Sequence, residues 1–125
     1  MRRSVLVVDD EPNIVLSLEF LMNQAGYDVR VAHDGDSALR LVDEHAPDLV
    51  LLDIMTPGRD GYEVCERIRA NPALRHVKIV MLTAKSRDVE REKAFALGAD
   101  DYITKPFSTR ELVERVKLLI GDAAQ

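Results

Sequence analysis

Apolar runs alternate with amphipathic segments along the whole chain. The run Leu49–Leu52 and the run Val5–Val8 are wholly apolar, which is typical of strands buried on both faces of a parallel sheet. Three further segments are apolar or alternate with period two, as strands do. The pattern therefore predicts five strands, at residues 4–8, 28–32, 49–52, 77–82 and 102–104.

The segments that separate these strands carry apolar residues at helical spacing. Five helices are predicted; they begin near Pro12, Asp34-Gly35, Asp60, Ser86 and Ser108. The last of them opens with the capping box Ser108-x-x-Glu111, and Gly26, Gly98 and Gly121 are expected to end helices. The fourth, residues 86–97, is highly charged and has only a thin apolar stripe, formed by Val89, Ala94, Phe95 and Leu97.

Strictly alternating strands and helices predict an α/β fold of the doubly wound (βα)₅ type. Such a chain forms a parallel sheet with right-handed crossovers and with helices on both faces. We expect residues 1–121 to form one domain, and residues 122–125 to be a tail or the start of a linker. The segment 71–76 is expected to be a polar connection.

Composition restricts the classes of function. A formal charge of -5 over 125 residues argues against direct binding of nucleic acid or of a membrane surface, because both require a cationic face. No apolar run is long enough for a membrane span and no signal peptide is evident. The single cysteine, Cys65, excludes an internal disulfide and fits a reducing cytoplasm; its helical spacing to Val64 and Ile68 predicts a core thiol. The histidines lack metal-ligand spacing and are expected at the surface: His33, His45 and His76.

Chemistry-bearing residues follow the predicted buried strands. These residues are Asp9, Asp10, Asp53, Thr83 and Lys105. Each alone is explained by an ordinary capping or solvated role. Together they predict a site, because the carboxyl ends of parallel strands meet at one edge of the sheet. Three converging carboxylates require a cation, and Mg²⁺ with a lysine opposite suits phosphoryl transfer to an aspartate nucleophile.

The same motifs, in the same order, resemble the receiver domain of two-component response regulators, the CheY-like family. The resemblance rests on Asp9-Asp10, Asp53 with Pro57 and Asp60-Gly61, Thr83-Ala84, and Lys105-Pro106-Phe107. It implies a flavodoxin-like fold with strand order 2-1-3-4-5, and phosphorylation of Asp53 by a histidine kinase or a phosphotransfer protein. It further implies that Mg²⁺ is bound by Asp10, Asp53 and the Met55 main-chain carbonyl, with Asp9 assisting. Thr83 and Tyr102 correspond to the family's switch pair. Lys105 corresponds to its phosphate-binding lysine. On phosphorylation, Tyr102 is expected to swing inward. A receiver of this kind is a cytoplasmic signalling phosphoacceptor and not an enzyme.

Within that family, Gly98–Phe107 and Glu111-Leu-Val-x-Arg115 are similar to receivers of winged-helix transcription factors. That similarity implies a homodimer formed on phosphorylation through helix 4, strand 5 and helix 5, joined by Arg91 with Glu111 and by Asp101 with Arg115. Thr56, Arg59 and Glu92 depart from the family pattern, and Glu92 falls in the expected apolar dimer patch. A different partner protein on this face is the alternative.

Three other classes compete with this interpretation. A haloacid-dehalogenase-like phosphatase requires its nucleophile on the first strand and a second Asp two residues on, where this chain has Met55 after Asp53. A nucleotide-binding flavodoxin or GTPase module requires a phosphate-binding loop that is absent from the sequence. A degenerate receiver that serves only as a binding module would lack Asp53 or Lys105.

Overall fold

A single parallel sheet carries the functional residues. The computed structural model describes residues 2–56, 58–84 and 88–122. Its strands are β1 (Ser4–Val8), β2 (Asp28–Ala32), β3 (Leu49–Asp53), β4 (Lys78–Thr83) and β5 (Asp101–Thr104). All pairings are parallel and the order is β2-β1-β3-β4-β5. The predicted strand positions and order are confirmed, with bounds displaced by at most one residue.

Five α-helices alternate with the strands. They are α1 (Pro12–Gln24), α2 (Gly35–Glu44), α3 (Gly61–Ala70), α4 (Asp88–Ala96) and α5 (Thr109–Ile120). A short 3₁₀ helix, Pro72–Leu74, lies in the predicted polar connection after α3. None of the helices in the described ranges has the length and apolar character needed to cross a membrane.

The central strands divide their side chains between two hydrophobic cores, one on each face of the sheet. On one face Leu6 and Leu52 pack in a cluster with residues of α2, α3 and α4. On the other face Val7 and Leu51 pack in a cluster with residues of α1 and α5. Because successive side chains of a strand point to opposite faces, wholly apolar strands place helices on both faces, and the predicted doubly wound architecture is confirmed.

The buried thiol and the ends of the helices follow the sequence signals closely. Cys65 is fully buried in the core under α3, as predicted, and the three histidines are exposed. Tyr27 is also fully buried, and its hydroxyl donates to the main-chain carbonyl of Gly121, 2.6 Å away, just after α5. The Ser108 hydroxyl accepts the Glu111 amide, 3.3 Å away, as one half of the predicted capping box.

The thin apolar stripe predicted for α4 is only partly buried. Val89 and Phe95 are 73% and 42% exposed, and Ala94 is the buried residue of the helix. One aromatic contact joins α4 to α3: the Lys93 ammonium lies 4.2 Å from the centre of the Tyr62 ring, and Tyr62 is on α3. The predicted start at Ser86 lies outside the described residues, as do residues 123–125 of the predicted tail 122–125.

Candidate functional site

Side chains from three strand ends form one charged cluster. Asp9 and Asp10 directly follow β1, Asp53 is the last residue of β3, and Lys105 directly follows β5. A carboxylate oxygen from each of the three aspartates lies within 4.8 Å of the other two. The structure therefore brings these four predicted site residues together, as expected for one edge of a parallel sheet.

Lys105 contacts the two buried carboxylates of this cluster. Its Nζ lies 3.0 Å from Asp9 Oδ2 and 3.6 Å from Asp53 Oδ2. Asp9 is fully buried and Asp53 is 6% exposed, whereas Asp10 is exposed. A buried carboxylate requires a partner, and the lysine supplies it to both. The peptide bond that follows Lys105 is cis.

Main-chain amides take up the other oxygens of the buried carboxylates. Asp53 Oδ1 accepts the Met55 N–H at 3.1 Å, and Asp9 Oδ1 accepts the Glu11 N–H at 3.0 Å. These bonds fix both side chains with their Oδ2 atoms towards Lys105. The carboxylate of Asp53 is thus oriented by the backbone of its own loop.

The surroundings of Asp53 disfavour its negative charge. Burial raises the pKa of this carboxyl above its ordinary value; the Met55 amide and Lys105 lower it, while the charges of Asp9 and Asp10 raise it further. A hard cation relieves such repulsion, and carboxylates are the oxygen donors that Mg²⁺ prefers. The residues present therefore fit a magnesium site.

Thr83 and Tyr102, the expected switch pair, are in contact. Both are buried, Thr83 at the end of β4 and Tyr102 on the neighbouring β5. Burial raises the pKa of the Tyr102 phenol, and its hydrogen bond with Thr83 opposes that rise. The Tyr102 ring is therefore already inward in this structure, contrary to the expectation that phosphorylation swings it in.

The four residues expected to join two chains lie on one face but are already engaged within one chain. Arg115 contacts Asp101 at 2.9 Å and Glu111 at 3.0 Å. The guanidinium of Arg91 lies 5.9 Å from the centre of the Tyr102 ring. The spacing of Glu111 and Arg115, four residues apart on α5, is a sequence signal for the intrachain pair.

The connection between β3 and α3 contains contacts that the sequence analysis did not identify. The Thr56 hydroxyl donates to the Asp53 main-chain carbonyl, and Arg59 pairs with Asp36 and Glu63. A Cβ atom on Gly61 would lie 2.7 Å from Ile54 Cα, so only glycine fits there. The four-residue spacing of Arg59 and Glu63 is a signal for their pair, but the sequence contains none for Asp36, which lies on another helix.

Known proteins agree with this fold. Residues 5–117 match the family model described as the response regulator receiver domain. A solved structure of a putative response regulator from Chloroflexus aurantiacus is 38% identical, with a TM-score of 0.91 over 96% of this chain and 98% of that one.

Two further solved structures are similar. One is the receiver domain of the sensor histidine kinase PA1611 from Pseudomonas aeruginosa, with a magnesium ion in its active site cleft; it is 33% identical, with a TM-score of 0.88 over 98% of this chain and 100% of that one. The other is the BeF₃-activated N-terminal receiver domain of RstA from Klebsiella pneumoniae, 32% identical, with a TM-score of 0.88 over 94% of this chain and 98% of that one. With the family model covering most of its length, the chain belongs to the response regulator receiver domain family and is a signalling phosphoacceptor domain.

Proposed function

We propose that Asp53 is the phosphoacceptor of this receiver and that Mg²⁺ is its cofactor. The observation that carries the proposal is the Asp53 carboxylate at the end of the central strand β3, with two further carboxylates and Lys105 around it. The phosphoryl donor is a histidine kinase or a phosphotransfer protein. The proposed compartment is the cytoplasm, which the single free thiol of Cys65 supports.

The reaction is a transfer from phosphohistidine to a carboxylate. An oxygen of Asp53 attacks the phosphorus, the new P–O bond forms, and the P–N bond breaks with its electron pair left on the imidazole nitrogen. Mg²⁺, held by Asp10, Asp53 and the Met55 main-chain carbonyl with Asp9 assisting, would neutralise charge on the transferring oxygens. The Met55 amide, 3.1 Å from Asp53 Oδ1, orients the nucleophile.

The phosphoryl group of the product carries about two negative charges where the carboxylate carried one, and two side chains of this chain respond. Lys105 lies 3.6 Å from Asp53 Oδ2 and can donate to a phosphoryl oxygen in its place. The Thr83 hydroxyl can also donate to the phosphoryl group, but it then releases its hydrogen bond with Tyr102. Release of the phenol is our proposed first step of the switch. Because Tyr102 lies beneath Arg91 of α4, the change reaches the face formed by α4, β5 and α5.

Mg²⁺ should stabilise the folded protein, and Asp10→Asn should lose most of that response. A ligand that binds only the folded state adds about 2.7 kcal/mol to the free energy of unfolding at a hundred times its Kd. Without metal, the variant should be at least as stable as wild type, because one repelling carboxylate is gone. Thermal unfolding with Mg²⁺ or EDTA measures both effects. The control is Asp28→Asn, which lies at the start of β2 and so at the opposite edge of the sheet; it should respond to Mg²⁺ as wild type does. If saturating Mg²⁺ leaves the wild-type Tm unchanged, the cation site is ruled out.

For the output we propose a two-fold dimer through α4, β5 and α5, in which Arg115 pairs with Asp101 of the second chain and Arg91 pairs with Glu111 of the second chain. Each interchain pair would occur twice by symmetry. The exposed Glu92 and the 42% exposed Phe95 lie on this helix surface, and the Glu92 carboxylate weakens an apolar contact there. The similarity to winged-helix regulators stays a prediction.

Sedimentation velocity with a beryllofluoride mimic of the phosphoryl group tests this dimer. We expect wild type to associate in the low tens of micromolar only when the mimic is bound. Glu92→Leu should associate about tenfold more tightly, since a charged side chain in an interface core costs about 1 kcal/mol or more. A monomer with the site fully occupied would refute the dimer and leave binding of a different partner protein.

A further inference from the structure

The loop between β3 and α3 carries Met55 and is closed at its base by main-chain hydrogen bonds. The Gly61 N–H donates to the Ile54 carbonyl at 2.8 Å, and the Ile54 N–H donates to the Leu82 carbonyl at 3.1 Å. Ile54 itself is 5% exposed. The base of the loop is therefore fixed to the sheet whatever its outer part does.

Arg59 fastens the outer part of the same loop. Its Nε lies 2.7 Å from Asp36 Oδ1 in the first turn of α2, and its Nη1 pairs with Glu63 in the first turn of α3. A Cβ atom on Gly35 would lie 2.4 Å from the Arg59 main-chain oxygen. The loop backbone thus lies directly against the start of α2, and one guanidinium bridges two helices across it.

We propose that Arg59 is a positioning residue for the cation site: by binding Asp36 and Glu63 it restrains the loop, and so holds the Met55 main-chain carbonyl ready for the metal. The inference rests on the proposed function, since Met55 is a ligand only if the site binds Mg²⁺. Restraint before binding lowers the ordering cost of binding. The planar guanidinium suits this role, because its fixed donors can hold two carboxylates at once, whereas a lysine ammonium is a compact point charge.

A simple electrostatic role predicts the opposite result. As a cation on the loop of a cation site, Arg59 would repel Mg²⁺, so removing its charge would tighten binding. Arg59→Met and Arg59→Lys separate the two effects. If Arg59 restrains the loop, both variants should bind Mg²⁺ more weakly. If only its charge matters, Arg59→Met should bind Mg²⁺ more tightly and Arg59→Lys should bind it as wild type does.

Calorimetric titration with Mg²⁺ gives the affinities. We expect Kd to rise about threefold to tenfold in both variants, which is the size expected for two partly exposed ion pairs. The difference from wild type should shrink in high salt, because such pairs are screened. Arg110→Lys and Arg110→Met are the controls: Arg110 also pairs with a glutamate four residues on, Glu114, but on α5, and both should bind as wild type does.

Amide hydrogen exchange of the metal-free protein provides a readout that does not depend on Mg²⁺. The amides of residues 55, 56 and 58–60 should exchange at least about twofold faster in Arg59→Lys, while the amides of β3 keep their wild-type rates. Unchanged exchange in this loop, or unchanged Mg²⁺ affinity of Arg59→Lys beside a wild type that binds, overturns the role of Arg59 alone. A wild type that binds no Mg²⁺ overturns the cation site of the proposed function instead.

Discussion

Asp53→Asn should accept no phosphoryl group from a small phosphodonor, under conditions in which wild type gains one. The amide of asparagine lacks the anionic oxygen that attacks phosphorus, and it cannot form the acyl phosphate. Acetyl phosphate with Mg²⁺, followed by intact-mass measurement, detects the difference directly. Asp28→Asn should be labelled like wild type. Stoichiometric labelling of Asp53→Asn would move the phosphorylation site to another residue.

The same variant should be more stable than wild type at neutral pH when no metal is present. Burial and the charges of Asp9 and Asp10 raise the pKa of Asp53 in the folded protein above 3.8, its ordinary value. A raised folded pKa favours the folded state below the unfolded pKa, and that contribution is lost as the pH rises through the folded pKa. Asparagine stays neutral at every pH, so the variant does not lose this stability as the pH rises.

Urea unfolding in EDTA measures this effect. The free energy of unfolding of Asp53→Asn, minus that of wild type, should grow from pH 4 to pH 7. A difference that stays constant over this range would mean that Asp53 is not strained by its neighbours. Saturating Mg²⁺ should reduce the advantage of the variant, because it stabilises wild type only.

Gly61→Ala should destabilise the protein by about 1–3 kcal/mol, the usual range for forcing additional atoms into a packed site. Helix propensity alone predicts the opposite, a gain of up to about 1 kcal/mol at an unstrained helical position. The added Cβ would lie 2.7 Å from Ile54 Cα and 2.8 Å from the Asp53 main-chain oxygen. Both are backbone atoms at the base of the phosphorylation loop, so neither can move without displacing the nucleophile.

Urea unfolding of Gly61→Ala and Gly58→Ala distinguishes two reasons for a glycine: a steric clash of the added Cβ atom, and a positive φ angle. Gly58 has a φ of +82°, and a Cβ atom there would have no neighbour closer than 3.6 Å. The free energy of unfolding of Gly58→Ala should fall only by the cost of a non-glycine residue in the left-handed conformation, about 1–2 kcal/mol. Its rate of phosphorylation by acetyl phosphate should stay normal. Gly61→Ala should lose both stability and labelling rate. If it is as stable as wild type, the tight contact between the loop and α3 is incorrect.

The sheet and the site were predictable from the sequence because both depend on short-range patterns and one topological rule. Wholly apolar runs determine β1 and β3, and parallel strands bring the residues after them to one edge. The positions of Asp9, Asp53 and Lys105 follow from those two facts. The carboxylate cluster needed no knowledge of loop conformation.

The rest depends on contacts that sequence patterns do not encode. The apolar stripe of α4 does not reveal which of its residues are buried, because nine residues with many charges among them do not determine how deeply each apolar side chain packs; Ala94 is the buried one. The partners of Arg59 depend on how the loop folds against α2. Tyr102 was expected to start outward, but its hydrogen bond with Thr83 requires two strand ends to meet, which only the structure reveals.

The one thiol of this chain sits where movement of α4 would expose it. Cys65 lies on α3 with its Sγ 3.5 Å from the carbonyl of Leu97, the residue after α4, and burial raises its pKa to about 11. A thiol reagent reacts with the thiolate and must reach it, so labelling of the native protein requires the region between α3 and α4 to open. The rate of labelling therefore measures how often α3 and α4 separate, and the measurement needs no introduced probe.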